Sequence, residues 1–249
     1  MANLKQDFTH FGFKEVSKSQ KSQLVGDVFD SVANRYDLMN DLMSLGVHRL
    51  WKDALVDWLN PRKEQTLLDV AGGTGDITNR FKKRGGGRAI ICDINQEMLS
   101  SGQKKFADSI PMRDTLWICG DAENLPVEDK SIDIYTIAFG LRNVTNIQVA
   151  LEEAYRVLRP GGRFLCLEFS SFVITALKPL YEAYSFKIIP QIGKLVANDK
   201  ESYKYLVESI RKFPDQHQLS FQIRETGLER CKFRNLSGGI AAIHSAWRL

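Results

Sequence analysis

The densest chemistry in this 249-residue chain lies in Leu68-Asp-Val-Ala-Gly-Gly-Thr-Gly-Asp-Ile77, a glycine-rich turn flanked by Asp69 and Asp76. A turn of this kind, leading from a strand into a helix, is where open parallel sheets bind nucleotides. A dinucleotide loop would need a third glycine three residues beyond Gly75, and Thr78 stands there. No Gly-Lys-Ser/Thr follows, so a Walker loop fails as well. Carboxylates beside a pyrophosphate repel it; beside a sulfonium and an ammonium they attract. Two further acids recur at equivalent places. Asp93 ends the next apolar run, where a carboxylate can accept two hydrogen bonds from a ribose diol. Gly120-Asp121-Ala122 ends the one after, where Asp121 can take the amino group of adenine. Each acid alone also suits a helix N-cap or a turn, but three consecutive strands ending this way form a pattern.

The elements that must position these residues are legible. Thr66–Ala71, Ala89–Asp93, Thr115–Cys119, Ile132–Ala138 and Arg163–Glu168 are strand-length runs rich in β-branched or aromatic residues. Between them, Asp76–Arg84, Gln96–Asp108 and Ile147–Leu158 are long and polar enough for crossover helices. This βαβαβ alternation predicts a Rossmann-like α/β fold with helices on both faces of a mostly parallel sheet. Cys231–Asn235 and Ile240–Ala246, after a helix over Asp215–Gly227, bring the sheet to about seven strands. Gly85-Gly-Gly87 ends the first crossover helix, and Arg159-Pro-Gly-Gly162 reads as a tight turn before the fifth strand.

Residues 61–171 are therefore the core of a single domain spanning 1–249, preceded by a helical extension over 1–60. Residues 172–213, with Tyr181, Tyr184, Tyr203 and Tyr205 and a break at Pro190, are too long for a plain loop and read as a helical cap over the site. Residues 214–249 supply the last helix and strands.

Composition narrows the class. An apolar share of 43% supports a real core, and 34 basic against 30 acidic residues, without a long run of one sign, leave no electrostatic footprint for nucleic acid. The N-terminus lacks the apolar stretch of a secretion signal and has no arginine before Arg35, which predicts a cytoplasmic protein. No apolar run is long enough to span a bilayer. The four cysteines form no C-x-x-C pair; Cys92, Cys119 and Cys166 sit in apolar runs and read as small buried hydrophobes. No metal site is expected.

The acidic glycine loop, the acids after strands two and three, and Leu158-Arg-Pro-Gly-Gly162 resemble the class I S-adenosylmethionine-dependent methyltransferases. Among acceptors, amino-group methylation commonly uses an Asn/Asp-Pro-Pro-aromatic run where this chain has Ala138-Phe-Gly-Leu-Arg-Asn143. Cytosine-C5 chemistry needs a thiolate, and Cys166 lies mid-strand in an apolar run. Catechol-type transfer needs a carboxylate metal cluster that is not evident.

A closer match lies in Tyr36-Asp-Leu-Met-Asn-Asp-Leu-Met-Ser-Leu-Gly-Val-His-Arg-Leu-Trp51 and Arg156-Val-Leu-Arg-Pro-Gly-Gly-Arg-Phe-Leu-Cys-Leu-Glu-Phe-Ser170. With Phe139-Gly-Leu-Arg-Asn-Val-Thr145 and Leu195-Val-Ala-Asn-Asp199, these resemble the ubiquinone/menaquinone biosynthesis C-methyltransferases. The resemblance implies methylation of a ring carbon on a polyprenylated benzoquinol or demethylmenaquinol, with S-adenosylmethionine as donor. It implies that Gly72 helps bind the donor, that Thr74 meets its methionine part, Asp93 its ribose, and Asp121 with Ala122 its adenine end. Two departures stand out: Ala138 where relatives often have serine, and Arg159 where lysine is usual.

A ring carbon is nucleophilic enough once a quinol hydroxyl, with an ordinary pKa of about 10, is ionised. A neighbouring cation favours that state. Arg142, just past the fourth strand, is the expected cation and Asn143 its hydrogen-bonding neighbour; His48 and His244 are weaker candidates for the base. Tyr36, Tyr181 and Tyr184 are expected in the pocket walls. A prenylated acceptor implies peripheral membrane contact, and other quinone-biosynthesis enzymes and a homodimer partner are left open. Competing readings are a methyltransferase for another small hydrophobic acceptor, a non-catalytic scaffold, and a nicotinamide dehydrogenase, the last opposed by Thr78 and the acidic loop.

Overall fold

The computed structural model describes residues 8–32, 44, 46–171, 173 and 200–249. The expectations for Tyr36, Tyr181, Tyr184, the segments 38–43 and 195–199, and most of the cap lie outside them. The described chain begins with a hairpin, β1 (Phe8–Phe11) and β2 (Lys14–Ser17), followed by helices α1 (Lys18–Val32) and α2 (His48–Leu59). The extension read as helical over 1–60 thus also holds two antiparallel strands. Gly12, at φ 58°, reverses the chain between them, where a side chain would be strained and a Cβ would strike Glu208.

The core then alternates as expected: β3 (Leu67–Val70), α3 (Asp76–Lys83), β4 (Ala89–Asp93), α4 (Gln96–Lys105), β5 (Thr115–Cys119), β6 (Ile132–Ala138), α5 (Ile147–Val157) and β7 (Leu158–Phe169). Helices α6 (Lys200–Lys212) and α7 (Gln216–Glu225) precede β8 (Glu229–Leu236) and β9 (Ala241–Trp247). The seven core strands form one sheet ordered β5-β4-β3-β6-β7-β9-β8. Pairing is parallel through β7, and β9 runs antiparallel to both its neighbours.

All four residues of β3 are buried, as expected for a strand covered on both faces. Alternation sends Leu67 into the core beneath α2 and α3, and Leu68 and Val70 into the core beneath α5 and α7. The chain leaves β3 toward β4 on one side, and leaves β6 toward β7 on the other. Adjacent β3 and β6 therefore make the switch point at which such sheets open a crevice. Arg159-Pro-Gly-Gly162, read as a free turn, is drawn into β7: Gly161 N–H donates to Arg248 O at 2.7 Å, and the register against β6 shifts between Ile132 and Ile134.

Helix α2 is fastened to α3 by alternating charges. Lys52 binds Asp76 at 2.9 Å, Arg80 binds Asp76 and Asp53, and Arg84 binds Asp53 and Asp57. Its apolar face (Trp51, Leu55, Val56, Leu59) packs into the first core cluster. This orientation brings the α2 lysine to the edge of the glycine loop. No helix among the described residues is long and apolar enough to cross a membrane.

Candidate active site

A cleft opens at the carboxyl ends of β3, β4, β5 and β6. Its described wall includes Ala71 to Thr74 with Asp76, Asp93, Asp121 to Glu123, the segment Ala138 to Gly140 with Asn143, and Ser22, Val25 and Gly26 of α1. Five of the expected residues, Gly72, Thr74, Asp93, Asp121 and Ala122, therefore meet in one place, although they come from three separate βα units.

The loop is shaped by glycine and by buried hydroxyls. Gly73 and Gly75 have φ of 52° and 81°, a region costly for any residue with a Cβ. A Cβ on Gly75 would also lie 2.8 Å from Trp117 and 2.9 Å from Ile91. Asp69, read as a free carboxylate for a cationic ligand, is already engaged. It accepts from Thr78 N–H at 3.2 Å, Thr78 Oγ1 at 2.9 Å and Thr136 Oγ1 at 2.8 Å. Thr136 reaches it because the two residues are register partners on β3 and β6. Burial pushes the Asp69 carboxyl up to about 6, against the pull of the threonines. Thr78, which argued against a dinucleotide loop, is thus the clasp that ties α3 to the strand. That role has no signal in spacing alone.

Asp93 accepts from Gly73 N–H at 2.8 Å and from Asn95 N–H at 2.9 Å, one bond on each oxygen. A carboxylate oxygen has a second lone pair, so both can still accept from a diol. Burial pushes its carboxyl up, and the two backbone donors oppose this. Asp121 is exposed and accepts from Glu123 N–H at 2.9 Å. For Asp76, burial pushes the carboxyl up, but the charges of Lys52 and Arg80 hold it below its ordinary value.

The β6 side is built differently. Phe139 has φ 57°, and a Cβ on Gly140 would run into Ala71, so glycine lets the two loops touch. Arg142 was expected to face the acceptor, but the structure sets it behind the wall, with its side chain fully buried and outside the cleft lining. Its Nη1 donates to Glu168 Oε1 at 2.8 Å and to Phe139 O, while Glu168 Oε2 accepts its backbone N–H at 3.3 Å. Burial raises the Glu168 carboxyl and Arg142 pulls it back. An arginine this deep requires its counter-charge, and Glu168 supplies it from β7. Asn143 does line the cleft; its Oδ1 accepts from Tyr205 Oη at 3.0 Å, and its buried Nδ2 has no partner among the described residues.

The roof over this side comes from the N-terminal unit and α6. Phe11 stacks on Tyr205 with centroids 4.0 Å apart, and Phe13 N–H donates to Glu208 at 3.1 Å. Lys21 Nζ donates to Val144 O at 2.7 Å. Burial lowers this ammonium to about 8, with Glu123 pulling it back up.

Two other expectations need correction. His244 lies in the core beneath α7, with Nε2 bonded to Gln216 O at 2.9 Å, and burial lowers it to about 4. It does not line the cleft. His48 is likewise buried outside the lining, with Nδ1 3.0 Å from Ser44 Oγ. Cys92 and Cys166 are buried as expected, and burial pushes the Cys166 thiol well above its ordinary value; Cys119 is exposed. The residues missed from sequence are Lys52, Glu168 and Tyr205. Lys52 and Glu168 sit in or beside the quoted hallmark segments, but only packing reveals their partners.

The sequence pattern of the ubiE/COQ5 methyltransferase family matches residues 14–248. The chain is 55% identical, over 97% of each chain, to a Roseobacter denitrificans protein named ubiquinone/menaquinone biosynthesis C-methyltransferase UbiE. It is 57% identical, again over 97% of each, to the protein of that name from Paracoccus denitrificans. In fold it is similar to a SAM-dependent methyltransferase from Thermotoga maritima, described as a possible histamine N-methyltransferase. That match has a TM-score of 0.65 at 20% identity and covers 90% of this chain and 100% of the other.

Proposed function

The chain belongs to the ubiE/COQ5 methyltransferase family, and from that premise we propose that it methylates a ring carbon of a polyprenylated benzoquinol or demethylmenaquinol in ubiquinone/menaquinone biosynthesis. The observation that carries this reading is the meeting, in one cleft of a chain so similar to the named C-methyltransferases, of an acidic nucleoside-binding edge with a flank formed by Ala138, Phe139 and Asn143. S-adenosylmethionine fits the acidic edge: Asp93 keeps free lone pairs for a ribose diol, and the glycine loop leaves space that a Cβ would fill. When bound, the donor would supply an electrophilic methyl group to the acceptor carbon, the C–S electron pair going to sulfur and the displaced ring proton to water.

The chain's own residues provide orientation and dryness. Gly72 and Thr74 border the methionine part, and Asp121 with Ala122 the adenine end. Phe139, packed with Trp51 and Phe169, gives the acceptor ring an apolar wall. Asn143 Nδ2 donates to the quinol oxygen, and Arg142, held by Glu168, positions the turn that presents Asn143. A positioned pair of reactants can account for roughly 7–11 kcal/mol of barrier. Roofing by α1, whose Ser22, Val25 and Gly26 line the cleft, shields that pair from water.

The prenyl tail implies that the protein works in the cytoplasm at the surface of a membrane, alongside other quinone-biosynthesis enzymes; a homodimer belongs to the same proposal. The test is incubation of the pure protein with labelled donor and each demethylated quinol, in solution and in liposomes. Label on the unsubstituted ring carbon supports the reading. Label on oxygen, or none with any quinol, overturns it, and indifference to quinol-loaded liposomes overturns the membrane proposal.

A further inference from the structure

The cleft is electrostatically lopsided. Its described lining carries five carboxylates, Asp69, Asp76, Asp93, Asp121 and Glu123, and one cationic side chain, Lys52. Acids suit the sulfonium and ammonium of the donor, but its methionine part also ends in a carboxylate, which that wall would repel. Lys52 is only 5% exposed, and its ammonium stands 2.9 Å from Asp76, the residue immediately beyond the glycine loop. An ammonium has three N–H donors. Asp76 takes one, and among the described residues no other acceptor is bonded to Lys52. Asp76 in turn is shared with Arg80, which bonds its other oxygen at 3.1 Å, so Lys52 is not fully neutralised by this partner. Helix α3 starts at the same corner and adds the positive end of its dipole.

We propose that Lys52 is the anchor for the carboxylate of the donor's methionine part, with Asp76 holding the lysine in place. The proposal rests on the reading of the donor as S-adenosylmethionine. It makes Lys52 a cofactor-positioning residue contributed by the N-terminal extension, so that α2 has a binding role as well as packing beside the core.

Calorimetry with S-adenosylmethionine and its decarboxylated analogue, which keeps the sulfonium and the amine, tests this directly. The unmodified protein should bind S-adenosylmethionine at least about tenfold more tightly than the analogue, as expected for a charge-assisted bond in a dry site. Lys52→Gln, which can still bond Asp76, should lose that preference by weakening S-adenosylmethionine alone, and Lys52→Arg should restore most of it. Equal affinity of the unmodified protein for both ligands overturns the anchor even if no variant folds. Equal weakening of both ligands by Lys52→Gln reduces Lys52 to a staple between α2 and α3. Unchanged affinities with lost turnover move it to the acceptor side, again overturning the proposal. Absence of any binding by the unmodified protein overturns instead the reading of the donor, and the anchor falls with it.

Discussion

Strands β3 and β6 lie side by side and each is followed at once by a non-glycine residue with positive φ, 50° at Ala71 and 57° at Phe139. Conformations of this kind cost on the order of 1–3 kcal/mol each and persist only where the surroundings impose them. What imposes them differs. Beyond β3 the restraints are largely local: glycines within the loop, Asp69 clasped by Thr78 nine residues on, and Asp93 twenty residues away gripping Gly73. Beyond β6 they are distant: Glu168 from β7, Tyr205 from α6 and Lys21 from α1. The donor side is made mainly by three consecutive βα units, while the side proposed for the acceptor is assembled from segments far apart in the chain. A cofactor shared across methyltransferases can be served by a compact local device. On the proposed placement of the acceptor beside β6, that side is where distant segments can be exchanged without disturbing this device.

The comparison breaks most readily at Glu168. Glu168→Ala leaves the buried Arg142 uncompensated and should cost about 3–5 kcal/mol in urea unfolding. Arg142→Met combined with Glu168→Leu should recover much of that stability while turnover stays low and donor affinity changes little. If the double variant turned over normally, the pair would have no part in positioning the acceptor side.

An intermediate effect is expected at Asp69. Its folded-state carboxyl is raised from 3.8 to about 6, so the folded protein holds the extra proton between those values. Its contribution to stability is fully present below the lower value and is lost as pH rises through about 6. Asp69→Asn should remove this dependence and gain on the order of 1–3 kcal/mol at pH 7.5 relative to pH 4. A loss of donor affinity would accompany the gain. Unfolding curves at the two pH values check the sign, and a flat profile in the unmodified protein would contradict it.

Tyr205→Phe should have the smallest effect, about 0.5–1.5 kcal/mol for one hydrogen bond. It sharpens the contrast through kinetics: the KM for the quinol should rise, while donor affinity, governed by the β3 side, stays constant. A matching fall in donor affinity would show that the two sides are coupled through Asn143.

The local device was readable because its restraints lie within a short span. Glycines must appear where φ is positive, and an acid at the end of a strand needs only the strand to be recognised. Arg142 illustrates the opposite case. Its position after β6 made it an evident cation for the acceptor, yet whether a guanidinium faces a cleft or a carboxylate on the next strand depends on the β6–β7 register and on what α6 packs against. The N-terminal hairpin was missed for a related reason: Phe8–Phe11 is short, and its pairing depends on a turn at Gly12 and on contacts with α6 far along the chain.

Sequence alone determined the alternation of strands and helices, the switch point with its acidic glycine loop, and through its segments the family, because periodicity, turn chemistry and short-range spacing are written residue by residue. Tertiary structure alone decided that Asp69 is a clasp, that Arg142 is held behind the wall, and that Lys52 reaches the glycine loop. Each of those roles depends on which charge finds which partner in a low-dielectric interior, and that choice is made only when distant segments pack together.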